Sequence, residues 1–212
     1  TFTELGEQVY ITLEPKELID KHFWLIASHW VDDSADEIEN AQNMDFEERE
    51  EIISQKRVIA LKEILQEKGL SGILELSLKG DCASTIGFLL RRFVFSSDEE
   101  SVQLIKLALE SFKKDAHINY KKIIWGLLSE GDDNTSLFES LSGYLDDSGK
   151  VQVYLQAPFG SQVWRLVDSL DGNYQQEYWE KIVPSYCPNI NEVEEAVKYL
   201  LLANRPQTAF LY

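Results

Sequence analysis

Cysteine, histidine, methionine and positive charge are all scarce in this chain of 212 residues. The two cysteines, Cys82 and Cys187, stand far apart with neither a Cys-x-x-Cys pair nor a Cys/His pair at metal spacing. That excludes a zinc ribbon and a disulfide framework, and it predicts buried thiols in a reducing, cytoplasmic compartment. Lys and Arg number 20 against 37 Asp and Glu, a net charge of -17. Such a field repels phosphate backbones and anionic bilayers, so the expected partners exclude nucleic acid and membrane. No window approaches the ~18 consecutive apolar residues of a membrane span. Residues 1–15 also lack the basic start and apolar centre of a signal peptide.

Motifs that carry chemistry are missing as well. The glycine turns near Gly69 and Gly72 lack the Gly-Lys-Ser/Thr ending of a phosphate loop, Gly149-Lys150 continues with Val151, and no Gly-x-Ser-x-Gly elbow occurs. His22 and His29 lie seven residues apart, about 10.5 Å along a helix and too far to share one ion. His117 has no nucleophile near it in sequence. The acidic run Asp32, Asp33, Asp36, Glu37, Glu39 has no central glycine for a calcium loop, and Asp132-Asp133-Asn134 and Asp146-Asp147 are too short. Solvated turns and helix caps account for them. Catalytic, cofactor-binding and metal residues are therefore expected to be none.

What the chain has is apolar residues at helical spacing. Hydrophobic residues make up 44% of it, enough for one elongated domain or two small ones. In residues 1–14, Val9, Ile11 and Leu13 alternate and predict an extended entry segment. Pro15 suits the first turn of a helix carrying Leu18, Ile19, His22, Phe23, Leu25, Ile26 and Trp30, and residues 31–44 read as an acidic loop. Residues 1–44 thus form an N-terminal part. Residues 45–212 read as stacked helical hairpins.

Phe46 opens the longest run, which ends at Lys68-Gly69. Helices are predicted over 70–78 and 81–95, joined by Lys79-Gly80 with Asp81 as cap, then from Asp98-Glu99-Glu100 through Phe112 and over 119–128. Beyond Gly131, Thr135 is the expected cap of a helix through Leu145, Ser148-Gly149 resets the chain for 151–155, and Ser161 begins another helix. Asp171-Gly172-Asn173 turns into a helix over 174–186, Cys187-Pro188-Asn189 into the last long helix, and Pro206 starts a further one. The fold class is all-α, an α-solenoid-like array of irregular tetratricopeptide- or HEAT-like hairpins of roughly 35 to 45 residues. No fixed period separates the two classes, and a compact irregular helical domain is the alternative. Small residues in 69–77 and 123–129 mark places where helices approach closely.

Aromatics supply the remaining hint, with five Trp and nine Tyr. Trp125, Trp164 and Trp179 fall on apolar faces and are expected between hairpins, while Tyr144, Tyr154, Tyr174, Tyr178 and Tyr186 are candidates for a groove. The pair Arg91-Arg92 stands out in an acidic chain and is a candidate anchor for a carboxylate-rich neighbour. The binding candidates are accordingly Arg91, Arg92, Tyr174 and Tyr178.

The stretch Trp179-Glu-Lys-Ile-Val-Pro-Ser-Tyr, followed by Ala196-Val-Lys-Tyr-Leu-Leu and Asn204-Arg-Pro-Gln-Thr-Ala, resembles degenerate helical-repeat regions of large bacterial multidomain proteins. The resemblance covers roughly residues 174 to 210 and the rest by general texture. It implies a packing signature and a role in recognising a protein beside an effector or ATPase part. A chain that starts at Thr1 and finishes on Phe210-Leu211-Tyr212 just after a helix-turn signal reads as a piece of something longer. The expected function is a non-enzymatic interaction module that scaffolds or senses another protein or an adjoining domain. The alternatives are an all-α accessory or regulatory domain of an enzyme whose catalytic part lies elsewhere, and a self-contained helical hydrolase.

Overall fold

A computed structural model describes residues 17–27, 46–129, 134–183 and 190–211. The expected extended segment at 1–14, the acidic loop at 31–44, and His29, Trp30, Asp132, Asp133, Tyr186 and Cys187 lie outside the described residues. Among the described residues every regular element is helical and none is a strand. In chain order they are α1 (Leu18–Ala27), α2 (Phe46–Leu78), α3 (Ala83–Leu89), a π-helical turn (Leu90–Val94), α4 (Asp98–Lys114) and α5 (Asn119–Leu128). They continue with α6 (Thr135–Ser142), α7 (Asp147–Tyr154), α8 (Ser161–Asp168), α9 (Gly172–Lys181), α10 (Ile190–Leu202) and α11 (Pro206–Ala209).

α2 is two helices in one run. Gly69 interrupts it at φ 63 and ψ -162, a conformation open almost only to glycine. The break falls where Lys68-Gly69 predicts it. The chain then turns back so sharply that a Cβ on Gly72 would lie 2.4 Å from the Lys68 Cβ and 3.2 Å from the Ile64 Cγ2. α1 is pinned onto α2 by polar contacts at its rim: His22 Nε2 to Glu63 Oε2 at 2.8 Å, Lys79 Nζ to Asp20 at 2.6 Å, and Arg57 Nε donating to the Leu25 carbonyl at 3.0 Å. Ile19 and Ile26 are buried in the seam.

α3 and α5 cross backbone to backbone. A Cβ on Gly87 would sit 2.3 Å from the Ile123 carbonyl oxygen, and one on Gly126 would sit 2.1 Å from that of Ser84. Only hydrogens fit at this crossing. Asn119 locks the geometry from the side, its buried amide donating to the carbonyls of Ser77 at 2.6 Å and Gly80 at 2.8 Å. From there α4 packs on α5 and α6, α7 on α9, α8 on α9, and α9 on α10. One continuous apolar cluster runs from Ile19 to Ala209.

Several helix starts differ from the sequence expectation. α3 is capped at Cys82 rather than Asp81, whose carboxylate pairs with Lys122 at 2.5 Å. α6 has Asn134, not Thr135, as its N-cap; the buried Asn134 amide donates to the Leu128 carbonyl at 2.9 Å. Ser148 and Gly149 do not interrupt the chain but form the first turn of α7, where Asp146 caps by accepting from the Gly149 N–H at 2.8 Å. An Asp cap offsets the helix-breaking tendency of one glycine, since the cap is worth about 1 kcal/mol and the glycine costs a similar amount. α9 ends at Lys181, short of the span to 186, and the helix after Asp81 turns π-helical at Leu90.

Candidate functional site

The four binding candidates are not brought together. Arg91 lies in the π-helical turn, mostly buried, and is ion-paired with Asp98 at the start of α4. Ser136 Oγ also donates to Asp98 at 2.5 Å, so this cluster ties α6 to α4. Burial raises the Asp98 carboxyl, but the bonds from Ser136 and Arg91 outweigh it and hold it below its ordinary value of 3.8. Arg91 is therefore occupied within the fold. Arg92 points outward, its guanidinium 5.7 Å from the Phe88 ring centre and 5.3 Å from that of Phe93.

Tyr174 is half-buried against the core and Tyr178 is fully buried. Burial pushes the Tyr178 phenol well up, and neither the phenol oxygen nor the Trp164 N–H makes a hydrogen bond. Tyr178 belongs to an aromatic core: Phe159 on Trp164 at 4.8 Å, Tyr178 edge-on to Trp179 at 5.1 Å, and Trp179 stacked on Tyr199 at 4.6 Å. Trp164 and Trp179 thus pack inside as their helical spacing predicts. Trp125 does not, and that expectation is corrected: it is 49% exposed, because the face of α5 that meets α3 is the one carrying Gly126.

The remaining polar residues sit in structural roles. His22 is engaged by Glu63, and His117 is exposed with its Nδ1 accepting from the Asn119 N–H at 3.2 Å. Cys82 is a buried free thiol, raised above 9.0 by that burial. Among the described residues no group of three His, Cys, Asp or Glu side chains is placed to hold a metal ion. No helix there is long and apolar enough to cross a membrane.

Two open grooves stand out on the surface. The first, about 440 Å³, lies between α2 and the π-helical turn and is lined by Gln55, Val58, Ile59 and Phe93. Ile59 is 65% exposed and Phe93 46%, and Arg92 adjoins Phe93. The second, about 510 Å³, runs between α4 and the α6–α7 connection, with Leu109, Phe112 and Leu145 as its floor and Lys106, Lys113 and Tyr144 on its rim. Of the residues singled out from sequence, Arg92 borders the first and Tyr144 the second. Lys106 and Lys113 are missed by motif reading, although their spacing of seven along one helix face is a visible signal. No family model, no curated protein and no solved structure matches the chain.

Proposed function

We propose that the chain is a non-enzymatic helical interaction module whose partner is another protein or an adjoining domain of the same polypeptide. The observation that carries this reading is the groove along Val58, where Ile59 and Phe93 stand open to solvent and Arg92 lies against Phe93. Apolar anchors next to an arginine are the composition of a binding hot spot.

Two further features support a repeat-like array within this reading. Helices two apart in sequence pack on one another, α3 on α5, α4 on α6 and α7 on α9, which is how stacked hairpins share a core. The segments that resemble bacterial helical repeats are also joined to each other: Arg205 Nη1 donates to the carbonyls of Trp179 at 3.0 Å and Ile182 at 2.5 Å. The proposed module lends a surface rather than a reaction.

A photo-crosslinking amino acid at Ile59, introduced in the cell of origin, tests the groove against the same group at Glu180, an exposed position on α9. A discrete adduct is expected at Ile59 only, and it should vanish when Phe93→Asp is added. Equal labelling at both positions, or an adduct indifferent to Phe93→Asp, refutes the assignment.

A further inference from the structure

α2 carries apolar residues on two opposite sides. Its inner side buries Ile53, Ala60, Leu61 and Ile64. On the outer side the exposed positions from 51 to 66 are Glu51, Ile52, Gln55, Ile59, Lys62 and Gln66. From Ile52 onward they recur at alternating spacings of three and four, the seven-residue repeat of a helix that pairs with another helix. Glu48, also exposed, extends the row toward the N-terminus. A solvated helix face carries polar residues at such positions, whereas here Ile59 is 65% exposed and Ile52 37%. The groove at Phe93 runs beside the row and is lined from it by Glu51, Gln55 and Ile59.

The row has the same order of residue types in both directions, with the charges exchanged. Gln55 is its midpoint: Glu48 lies seven residues before it and Lys62 seven after, with Ile52 and Ile59 between. A two-fold axis at Gln55 sets a second α2 antiparallel to the first, placing Glu48 opposite Lys62, Ile52 beside Ile59 and Gln55 opposite its own copy. Opposite charges then meet at both ends of the row, about 21 Å apart. A parallel pairing in register would set Glu48 on Glu48 and Lys62 on Lys62, and like charges disfavour it. The central amide has both donors and an acceptor, so it suits a partner identical to itself. Within its own chain it reaches Glu51 only at 3.4 Å.

We infer that this row is a two-fold interface on which a second copy of the chain docks through α2, antiparallel, the isoleucines of each copy covering the groove of the other. This rests on the reading of that groove as a docking surface and names its partner. The charge pattern selects the second copy, because an unrelated helix matches both ends only if it repeats the same row in reverse. Repulsion between two chains of net charge -17 is screened beyond ~8 Å at physiological salt, while Ile52, Ile59 and Phe93 lose water at the centre. A single row of this length with Phe93 beside it is smaller than the roughly 20–30 residues a side of a standard interface. The dimer is therefore weak and concentration-dependent.

Sedimentation equilibrium of the chain in about 0.15 M salt tests this. The measured mass is expected to rise from one chain toward two between about 1 and about 300 μM, the behaviour of a small interface. Ile59→Asp should weaken the dimer about tenfold or more, and Phe210→Asp, at a 91% exposed site elsewhere, should leave it within about twofold. Glu48→Lys should weaken it about tenfold by setting like charges at both ends, and adding Lys62→Glu to that variant should restore it to within about twofold. A folding defect cannot produce that rescue. A chain that stays monomeric throughout, equal weakening by Ile59→Asp and Phe210→Asp, or a failed rescue overturns the inference. The photo-crosslink at Ile59 separates it from the reading on which it rests. An adduct of two copies is expected; an adduct with a different protein alone removes the second copy and leaves the groove as a docking surface, whereas no adduct removes both.

Discussion

Gly69 and Gly126 both resist a side chain, for different reasons. Nothing lies within 4 Å of a Cβ on Gly69, so the difficulty there is its positive φ alone. Gly69→Ala is expected to cost about 1–3 kcal/mol from backbone strain. At Gly126 the new Cβ would press on the Ser84 carbonyl oxygen and two other backbone atoms of that residue, none of which can swing aside. Gly126→Ala should therefore cost about 3 kcal/mol or more, the upper end of overpacking. Denaturant melts of the two variants decide the matter, and a smaller loss at Gly126 than at Gly69 would count against the tight crossing. Gly69 was legible in the sequence because Lys-Gly after a long helical run is a stop signal. Which neighbour Gly126 meets was not, since the partner Ser84 is 42 positions away. For the same reason Trp125 reads as a core residue and is half exposed.

At the scale of the helix, the start of α4 carries a pH response. Glu100 accepts from the Ser96 N–H at 2.7 Å and the Ser97 N–H at 3.2 Å, while Asp98 accepts from Ser136 and Arg91. Burial raises both carboxyls, yet these donors hold each below its ordinary value, 4.5 for Glu100 and 3.8 for Asp98. A carboxyl lowered by folding adds stability above its unfolded value and loses it as the pH falls through its folded value. The melting temperature is thus expected to drop as the pH falls through and below about 4. Asp98→Asn should lower it at neutral pH, leaving Arg91 mostly buried without its counter-charge, and the gap from the wild type should close in acid. A constant gap at every pH would refute this role for Asp98. The opening acidic turn was readable from Asp98-Glu99-Glu100 by the helix-dipole rule. The inward ion pair was not, because it depends on the π-helical turn that aims Arg91 back at α4.

Across the whole molecule, the all-helical class was the most legible property, since it follows from periodicity repeated along most of the chain. The candidate grooves were less so, because each is assembled from separate helices whose packing no local pattern encodes. The C-terminal third rests on its aromatic cluster. Trp179 is 4% exposed and touches Trp164, Tyr178 and Tyr199, and truncating a buried aromatic costs about 3–5 kcal/mol. Trp179→Ala should therefore shift the melt strongly and release the Tyr199 ring stacked on it. An unchanged melting curve would remove the support for this packing.

Arg205 gives that cluster a clasp. The closing carbonyls of a helix carry partial negative charge and have no intrahelical donor, and at the close of α9 one guanidinium serves two carbonyls, those of Trp179 and Ile182. The donor comes from the turn between α10 and α11, so the end of one helix is finished by a residue that follows it by more than twenty positions. Displacing Arg205 would leave both carbonyls without that donor, so the seating of the turn before α11 and the finish of α9 support each other.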